Sequence, residues 1–451
     1  MGQLMRLSLF QVSVGMASVM LLGTLNRVMI VELSLPAMLV ALMIALPVLI
    51  APFRALLGFR SDTHRSAIGW KRVPYIWFGS LWQFAGLAVM PFALLVLGGD
   101  VVHQVPFAGE VLAGLAFLMT GLGLHMTQTA GLALASDRAT DETRPRVVAL
   151  LYVMFLLGMG ASAVMIGALL SDYSDLRLIR VVQGAAVAGI ALNLIALWKQ
   201  ESVRPMSRAE RAAPRPSFAD ALADYLSGGQ AGRLLAVVFV GTMAFNMQDV
   251  LLEPYGGEVL GLSVSATTLL TALWAGGALT GFAWAGARLA AGSNPYRLAG
   301  MGVLAGVWAF SLVIFSAPMN AAALFYVGAA LIGFGGGLFA VSTLMAAMTM
   351  SAQSAGRGLA LGAWGAAQAT AAGLSIALGG AVRDWTHAIA TSGQWGDALN
   401  TPATGYSFVY HSEIGLLFAT LVILGPLVRH SGPIPEPENR PGRLGLADFP
   451  T

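Results

Sequence analysis

The chain has 451 residues, of which 57% are hydrophobic and only 10% are charged, and its mean hydropathy is +0.74. This composition excludes a soluble domain and indicates a polytopic α-helical membrane protein. The net charge of +3 is small and its basic residues cluster in loops, so no nucleic-acid partner is expected. The absence of cysteine excludes disulfides, thiolate catalysis and Cys-ligated metals.

Apolar stretches recur along the whole chain, each close to the roughly 20 residues that cross a bilayer. They predict twelve membrane-spanning helices, at residues 9–32, 35–57, 74–97, 108–134, 147–170, 177–198, 234–256, 264–288, 297–317, 320–349, 358–382 and 407–428. The polar stretch 199–233 divides them into two six-helix halves, 1–198 and 234–428, followed by a polar tail at 429–451. This layout resembles the major facilitator superfamily, whose halves are related repeats.

Basic residues set the predicted orientation. If the N-terminus is cytoplasmic, most of the 25 lysines and arginines fall on the cytoplasmic side, including Arg54 at the inner end of span two and Arg60 and Arg65 after it. The positive-inside rule then places both termini in the cytoplasm. Within the central linker, Ser217 precedes an apolar stripe that predicts a short helix on the inner membrane surface, as a brace between the halves or as a partner dock.

The fourth predicted span carries His125 and Gln128 in its inner half. A neutral histidine there can ligate a metal, relay a proton or hydrogen-bond a neighbouring helix, and the last is the favoured interpretation. One histidine is also enough to supply an axial ligand to the magnesium of a tetrapyrrole. Near the outer end of span twelve, His411 and Glu413 could contact a partner helix or a pigment, although a position at the boundary with water is favoured.

Charged residues border two of the predicted inner loops. They are Asp62, Arg65, Lys71 and Arg72 between spans two and three, and Asp137, Arg138, Glu142 and Arg144 after span four. Pairing between the two loops would form a conformational latch that gates the cytoplasmic side. The alternative is that these are topology charges with local pairing.

Span seven is the most polar of the predicted helices. Asn246, Asp249 and Glu253 are spaced i, i+3, i+7 and share a helical face with Gln248 beside it. Ionisable residues at that depth are costly and normally face a bundle interior or a wet cavity. Pro254 and the following glycines predict a broken or kinked helix. The plainer interpretation is that one acid pairs with a neighbouring helix and the other caps the helix end.

Spans one and seven show a rough correspondence, because Asn26 and Arg27 occupy positions similar to those of the polar residues in span seven. If the halves are repeats, these helices face each other across a central cleft. We therefore predict an ion pair from Arg27 to Asp249 or Glu253 that closes the outer side. Arg27 could instead extend its side chain to the outer surface.

Two GxxxG spacings, Gly277–Gly281 and Gly333–Gly337, would allow close helix contact, but such matches are frequent in a chain with 54 glycines. The only two lysines, Lys71 and Lys199, each follow a tryptophan, so the chain contains no P-loop. Neither a GxSxG nor an HExxH motif occurs. The sequence therefore predicts no enzymatic activity and no use of ATP or a nicotinamide.

Four longer segments carry a more specific resemblance: GTLNRVMIVEL at 23–33, FRSDTHRSAIGWKRVPYIW at 59–77, ASDRATDETRPR at 135–146 and QDVLLEPYGG at 248–257. Together they resemble the PucC/LhaA family of purple phototrophic bacteria, the bacteriochlorophyll-delivery branch of the major facilitator superfamily. The resemblance implies an all-α fold of twelve transmembrane helices.

The resemblance also implies a function, which composition and spacing do not. It implies an assembly factor for light-harvesting antennae, core LH1 or peripheral LH2, that delivers bacteriochlorophyll to the antenna α and β polypeptides or chaperones them. Implied associates are the reaction centre–antenna core and bacteriochlorophyll synthase, with carotenoid as a further guest, in the photosynthetic inner membrane. Two alternatives remain open: a proton-coupled transporter using Asp249 and Glu253, and a pigment-free scaffold that binds antenna helices on span twelve.

Overall fold

The computed structural model describes residues 2–25, 28–29, 33, 35, 37–66, 68–99, 106–140, 142–170, 174–203, 205–207, 217–227, 229–262, 264–351, 357–392, 395–396 and 399–430. All regular structure in these ranges is helical. They include 11 helices that are long and apolar enough to cross a membrane. The eighth predicted span, 264–288, corresponds to a helix at Val264–Ala290. The predicted all-helical, multi-pass architecture is confirmed.

The chain divides into two compact units, and the first contains Met1–Tyr225 and Ser351–Ala366. Its helices are α1 (Gly2–Leu7), α2 (Leu9–Val19, which continues into a π-helical turn at Met20–Thr24), α3 (Ala37–Ile50), α4 (Arg54–Asp62), α5 (Val73–Gly98), α6 (Ala108–Arg138), α7 (Arg144–Leu169), α8 (Asp175–Leu197) and α9 (Phe218–Ser227). A 3-10 turn at Ala51–Phe53 joins α3 to α4.

The second unit contains Leu226–Met350 and the described residues after Ala366. Its helices are α10 (Gln230–Asn246), α11 (Leu252–Glu258), α12 (Val264–Ala290), α13 (Pro295–Ser316), α14 (Ala322–Ser351), α15 (Arg357–Thr391) and α16 (Pro402–His430). Helix α15 is divided between the units, because its residues up to Ala366 cluster with the first.

Glycines set the helix packing in both units. In the first unit, a Cβ on Gly123 of α6 would lie 2.5 Å from the carbonyl oxygen of Gly79 on α5. In the second, a Cβ on Gly281 of α12 would lie 2.5 Å from the carbonyl oxygen of Phe334, between the two glycines of the second GxxxG spacing on α14. The two GxxxG spacings therefore lie at one helix contact, where missing side chains let the backbones approach.

The break predicted in span seven is present. A 3-10 turn at Met247–Val250 separates α10 from α11 and places Gln248 and Asp249 on the turn. Pro254, however, does not end a helix as predicted, because α11 continues to Glu258. Pro254 lies in the first turn of α11, where backbone N–H groups lack helical partners and a proline costs little.

The predicted surface helix is α9. The Ser217 hydroxyl accepts a hydrogen bond from the backbone N of Asp220 at 3.0 Å and so caps the start of the helix. Phe218 packs edge-on against Phe59 of α4, with ring centroids 5.5 Å apart. Within the first unit, α9 therefore braces the end of α4.

Candidate functional site

Arg72 is the centre of a charged cluster in the first unit. Its Nη2 donates to a carboxylate oxygen of Asp62, its Nε donates to Asp137 Oδ2 at 3.1 Å, and its Nη1 donates to Ser61 Oγ at 2.5 Å. Burial lowers the pKa of Arg72, but the two carboxylates outweigh that effect and hold the pKa above its usual value. The predicted pairing between the two inner loops is present at these residues.

Asp62 and Asp137 also bind the start of α15. The Asp62 carboxylate accepts from the backbone N atoms of Gly358 at 2.9 Å and Leu359 at 2.8 Å. Arg357 Nη1 lies 3.1 Å from Asp137 Oδ1. A carboxylate at a helix N-terminus satisfies unbonded N–H groups and is favoured by the helix dipole. The cluster therefore joins both inner loops to the first turn of α15.

The other residues of the predicted latch differ in their exposure. The side chains of Lys71, Arg138 and Glu142 are exposed. Arg65 is half-buried, and Arg144 is buried at the start of α7. The contacts of the cluster join Asp62, Arg72 and Asp137, and the part of the remaining charges in the latch stays a prediction.

Glu201 makes a contact that no pattern in the sequence predicted. Its carboxylate accepts hydrogen bonds of 3.0 Å from the backbone N atoms of Lys71, Arg72 and Val73. These amides stand at the start of α5, where helical partners are missing. The first residues of the central linker are thus fixed to the same charged region.

His125 lies at a helix–helix contact, as the favoured interpretation held. Its side chain is 7% exposed, and Nε2 lies 3.1 Å from the carbonyl oxygen of Pro47 on α3. Because a carbonyl oxygen only accepts, Nε2 carries the proton, and in the neutral ring Nδ1 bears a lone pair. Nδ1 is buried without a hydrogen-bond partner. Gln128 is half-buried on the same helix and joins no hydrogen bond with this group in the described structure.

Arg54, expected among the topology charges of the inner loop, is instead buried within the first unit, with 2% exposure. It donates from Nε to Thr129 Oγ1 at 3.1 Å and from Nη1 to the carbonyl oxygen of Gly365 at 3.2 Å. Thr129 lies one turn beyond His125 on α6, so both face the α3–α4 segment. Sequence reasoning missed Arg54 because it sits at the end of an apolar run, where loop residues usually begin.

The polar residues of the broken span seven form a second group, in the second unit. Asp249 accepts from Gln248 Nε2 at 2.5 Å and from Asn246 Nδ2 at 3.0 Å. A cavity of about 200 Å³ is lined by Gln248, Asp249, Leu252, Glu253, Leu270 and Trp274. Asp249 and Glu253 therefore both line this cavity.

Glu413 adds a buried carboxyl group to this region. It is fully buried, and its Oε1 accepts from the backbone N of Gln248 at 2.7 Å. The expectation that Glu413 lies at the boundary with water is therefore wrong, because the 3-10 turn leaves an unbonded amide that the carboxylate satisfies. His411 is exposed on α16, and its Nδ1 lies 2.7 Å from the carbonyl oxygen of Ser407.

Asn26 and Arg27 lie outside the described residues. The ion pair from Arg27 to Asp249 or Glu253 therefore stays a prediction. No group of three or more His, Asp or Glu that could hold a metal ion occurs among the residues that were placed.

The comparisons with known proteins agree over almost the whole chain. The family model described as PUCC protein matches residues 24–432. The uncharacterized protein in the puhA-bchM intergenic region of Rhodobacter capsulatus is 61% identical over 100% of this chain and 94% of its own length. Protein PucC of Rhodovulum sulfidophilum is 54% identical over 85% of each chain. A more distant relative, the bacteriochlorophyll synthase 44.5 kDa chain of Rhodobacter capsulatus, is 30% identical over 85% of this chain and 87% of its own.

Among solved structures, a bacterial homologue of the iron transporter ferroportin in the outward-facing state is similar, with a TM-score of 0.72. The match covers 95% of this chain and 99% of that one at 14% sequence identity. At that identity the similarity concerns the fold alone. It confirms the predicted major-facilitator-type fold.

Proposed function

The chain belongs to the PUCC protein family, and on that premise we propose that it is an assembly factor for bacterial light-harvesting antenna complexes, core LH1 or peripheral LH2. It is not itself an enzyme in this proposal. It delivers bacteriochlorophyll to the antenna α and β polypeptides or chaperones them. The observation that carries the proposal is the family match from residue 24 to residue 432.

The chemistry of His125 fits a bacteriochlorophyll guest. A metal-ligating histidine usually donates its other ring N–H to a carbonyl or carboxylate, which fixes the tautomer and turns the free nitrogen toward the metal. The Pro47 carbonyl oxygen takes that second-shell place at Nε2, and Nδ1 remains available. When bound, the pigment would supply a magnesium ion that accepts a nitrogen ligand, and His125 would hold it.

The proposal places the protein in the photosynthetic inner membrane. Its partners there are the antenna α and β polypeptides, together with the reaction centre–antenna core and bacteriochlorophyll synthase as associated complexes. A carotenoid is a second candidate guest, since apolar helix faces accommodate one without specific polar contacts. The described structure offers 11 apolar helices for such contacts.

An absorption spectrum tests the proposal directly. The full chain is purified in mild detergent from a phototrophic membrane, as wild type, as His125→Ala and as His411→Ala. We expect near-stoichiometric bacteriochlorophyll in the wild type, a clear loss in His125→Ala, and no change in His411→Ala, because His411 is exposed on α16. Antenna polypeptides are assayed in the same preparations.

Each outcome separates the interpretations. Pigment that is retained in His125→Ala but lost in His411→Ala would move the ligand to His411. Antenna polypeptides without pigment would favour the scaffold. A preparation with neither would overturn the assembly-factor proposal.

One observation favours a second candidate function, a proton-coupled transporter of a small solute. The cavity of about 200 Å³ in the second unit is lined by two carboxyl groups, those of Asp249 and Glu253, and by Trp274. Under this function, uptake into vesicles depends on pH, and Asp249→Asn abolishes that dependence while binding persists. Under the assembly function, Asp249→Asn impairs antenna formation and no pH-driven uptake is found in the wild type.

A further inference from the structure

Arg54 carries a charge that the fold does not neutralise. It is the first residue of α4 and is 2% exposed. Its two hydrogen bonds go to neutral oxygens, the hydroxyl of Thr129 and the backbone carbonyl of Gly365. Across the residues that the structure describes, no carboxylate forms an ion pair with it. The remaining nitrogen, Nη2, is buried and has no hydrogen-bond partner.

Fold stability does not account for such a residue. A buried charge without a partner is destabilising, and an apolar or amide side chain of similar volume would fill the same space at lower cost. Within membrane proteins, isolated charges of this kind are characteristic of binding and transport pathways. The buried, unpartnered N–H of Arg54 is therefore better explained by an acceptor that arrives with a ligand.

The surroundings of Arg54 are shaped to hold its guanidinium group in place. A Cβ on Gly365 would lie 2.5 Å from Arg54 Cζ and 2.6 Å from Nη2, so only glycine leaves room for the planar group. His125, one turn before Thr129 on α6, adds a second unpartnered polar atom, Nδ1. Arg54 of α4 thus has an unused donor, and His125, one turn from the Thr129 that Arg54 contacts, has an unused acceptor.

We infer that Arg54 forms a binding site in the first unit for an anionic oxygen carried by an otherwise apolar molecule. A guanidinium group suits carboxylate and phosphate oxygens, and the apolar helices around it suit the rest of such a molecule. Two sources share this chemistry: a tetrapyrrole with a free carboxylate and an anionic phospholipid. The tetrapyrrole source rests on the proposed function, whereas the phospholipid source does not. Because Gly365 lies against Arg54, the inference requires the first turns of α15 to move away when the ligand enters.

Two pairs of probes test the inference on the full chain in a neutral detergent. The first pair is pheophorbide a, a metal-free tetrapyrrole monocarboxylic acid, and its methyl ester, measured by fluorescence titration. The second pair is phosphatidylglycerol and phosphatidylcholine, measured by native mass spectrometry. Because pheophorbide a contains no magnesium, its binding does not depend on ligation by His125. The test therefore separates the anion site from the pigment-ligand proposal.

The wild type is expected to bind at least one acid about tenfold more tightly than its neutral or zwitterionic counterpart, the gain of a hydrogen bond to a charged group. Arg54→Gln should abolish that preference, and Arg54→Lys should retain part of it. Gly365→Ala should also abolish it, because the added methyl group displaces the guanidinium while the charge remains. Arg60→Gln is the matched control, since Arg60 is exposed on the same helix.

The binding preference for an acid over its neutral or zwitterionic counterpart decides whether Arg54 forms an anion site. No preference in the wild type for either acid, or a preference that survives in both Arg54→Gln and Gly365→Ala, would overturn it. A preference for phosphatidylglycerol alone supports it with lipid as the source and leaves pigment delivery to the absorption experiment. The ligand-free melting temperature of Arg54→Gln should equal or exceed that of the wild type, whereas a fall of several degrees would identify Arg54 as structural.

Discussion

Arg72→Met should lower the stability of the first unit more than any other single change in the charged cluster. The side chain of Arg72 is 5% exposed and that of Asp62 is 14% exposed, so methionine would leave a largely buried carboxylate without its cation. Removing one partner of a buried pair costs roughly 3–5 kcal/mol. The lower end applies, about 3 kcal/mol, because Asp137 is 33% exposed and keeps Arg357.

The assay is the apparent melting temperature in one detergent at one scan rate, which ranks variants even if unfolding is irreversible. For a unit of this size, 1 kcal/mol corresponds to about 2–4 °C, so we expect a decrease of roughly 6–12 °C. Lys71→Met is the control, since its side chain is exposed and only its backbone N is bonded to Glu201. The double variant Asp62→Asn with Arg72→Met should lose less than the two single variants summed. Equal melting of Arg72→Met and Lys71→Met would refute the reasoning.

Three further predictions concern other contacts. Gly58→Ala should cost about 1–3 kcal/mol, because its Cβ would overlap the backbone carbonyl of Gly358, whereas Gly160→Ala, with open space around it, should melt like the wild type. Glu413→Gln should melt near the wild type, because it keeps an acceptor for the backbone amide of Gln248. Glu413→Leu should lower the free energy of unfolding by about 1–3 kcal/mol, because that amide loses its acceptor. Equal losses in the two variants would contradict the acceptor role of Glu413. Glu201→Ala should speed hydrogen exchange in the first turn of α5 with a loss of about 1 kcal/mol, and unchanged exchange would exclude the capping role.

The helical fold was predictable because bilayer-spanning segments are long and apolar, and this signal is local in the sequence. A break in span seven was predictable because Pro254 and the glycines after it interrupt an apolar run, and a 3-10 turn at Met247–Val250 is present there. The exact form of the break was not, because a proline in the first turn of a helix is tolerated and Pro254 looked like a terminator.

The candidate sites were only partly predictable. The charged loops indicated a set of eight residues that includes Asp62, Arg72 and Asp137. The bond from Asp62 to the amide of Gly358 joins residues 296 positions apart, for which no local pattern exists. Arg54 was hidden by its position, since an arginine at the end of an apolar run looks like a topology charge. Burial of that charge depends on the glycine opposite, which becomes recognisable only once the helices are paired.

The division of α15 at Ala366 has a consequence for dissecting the protein genetically. A gene fragment that ends in the central linker, at Tyr225, would encode every helix of the first unit except the short piece Ser351–Ala366. Such a fragment would leave the carboxylate of Asp62 and the guanidinium of Arg54 without their α15 bonds. If the gene is cut at the linker and both halves are co-expressed, the first unit is complete only when the second polypeptide supplies Ser351–Ala366. The N-terminal half should therefore not fold as an independent module.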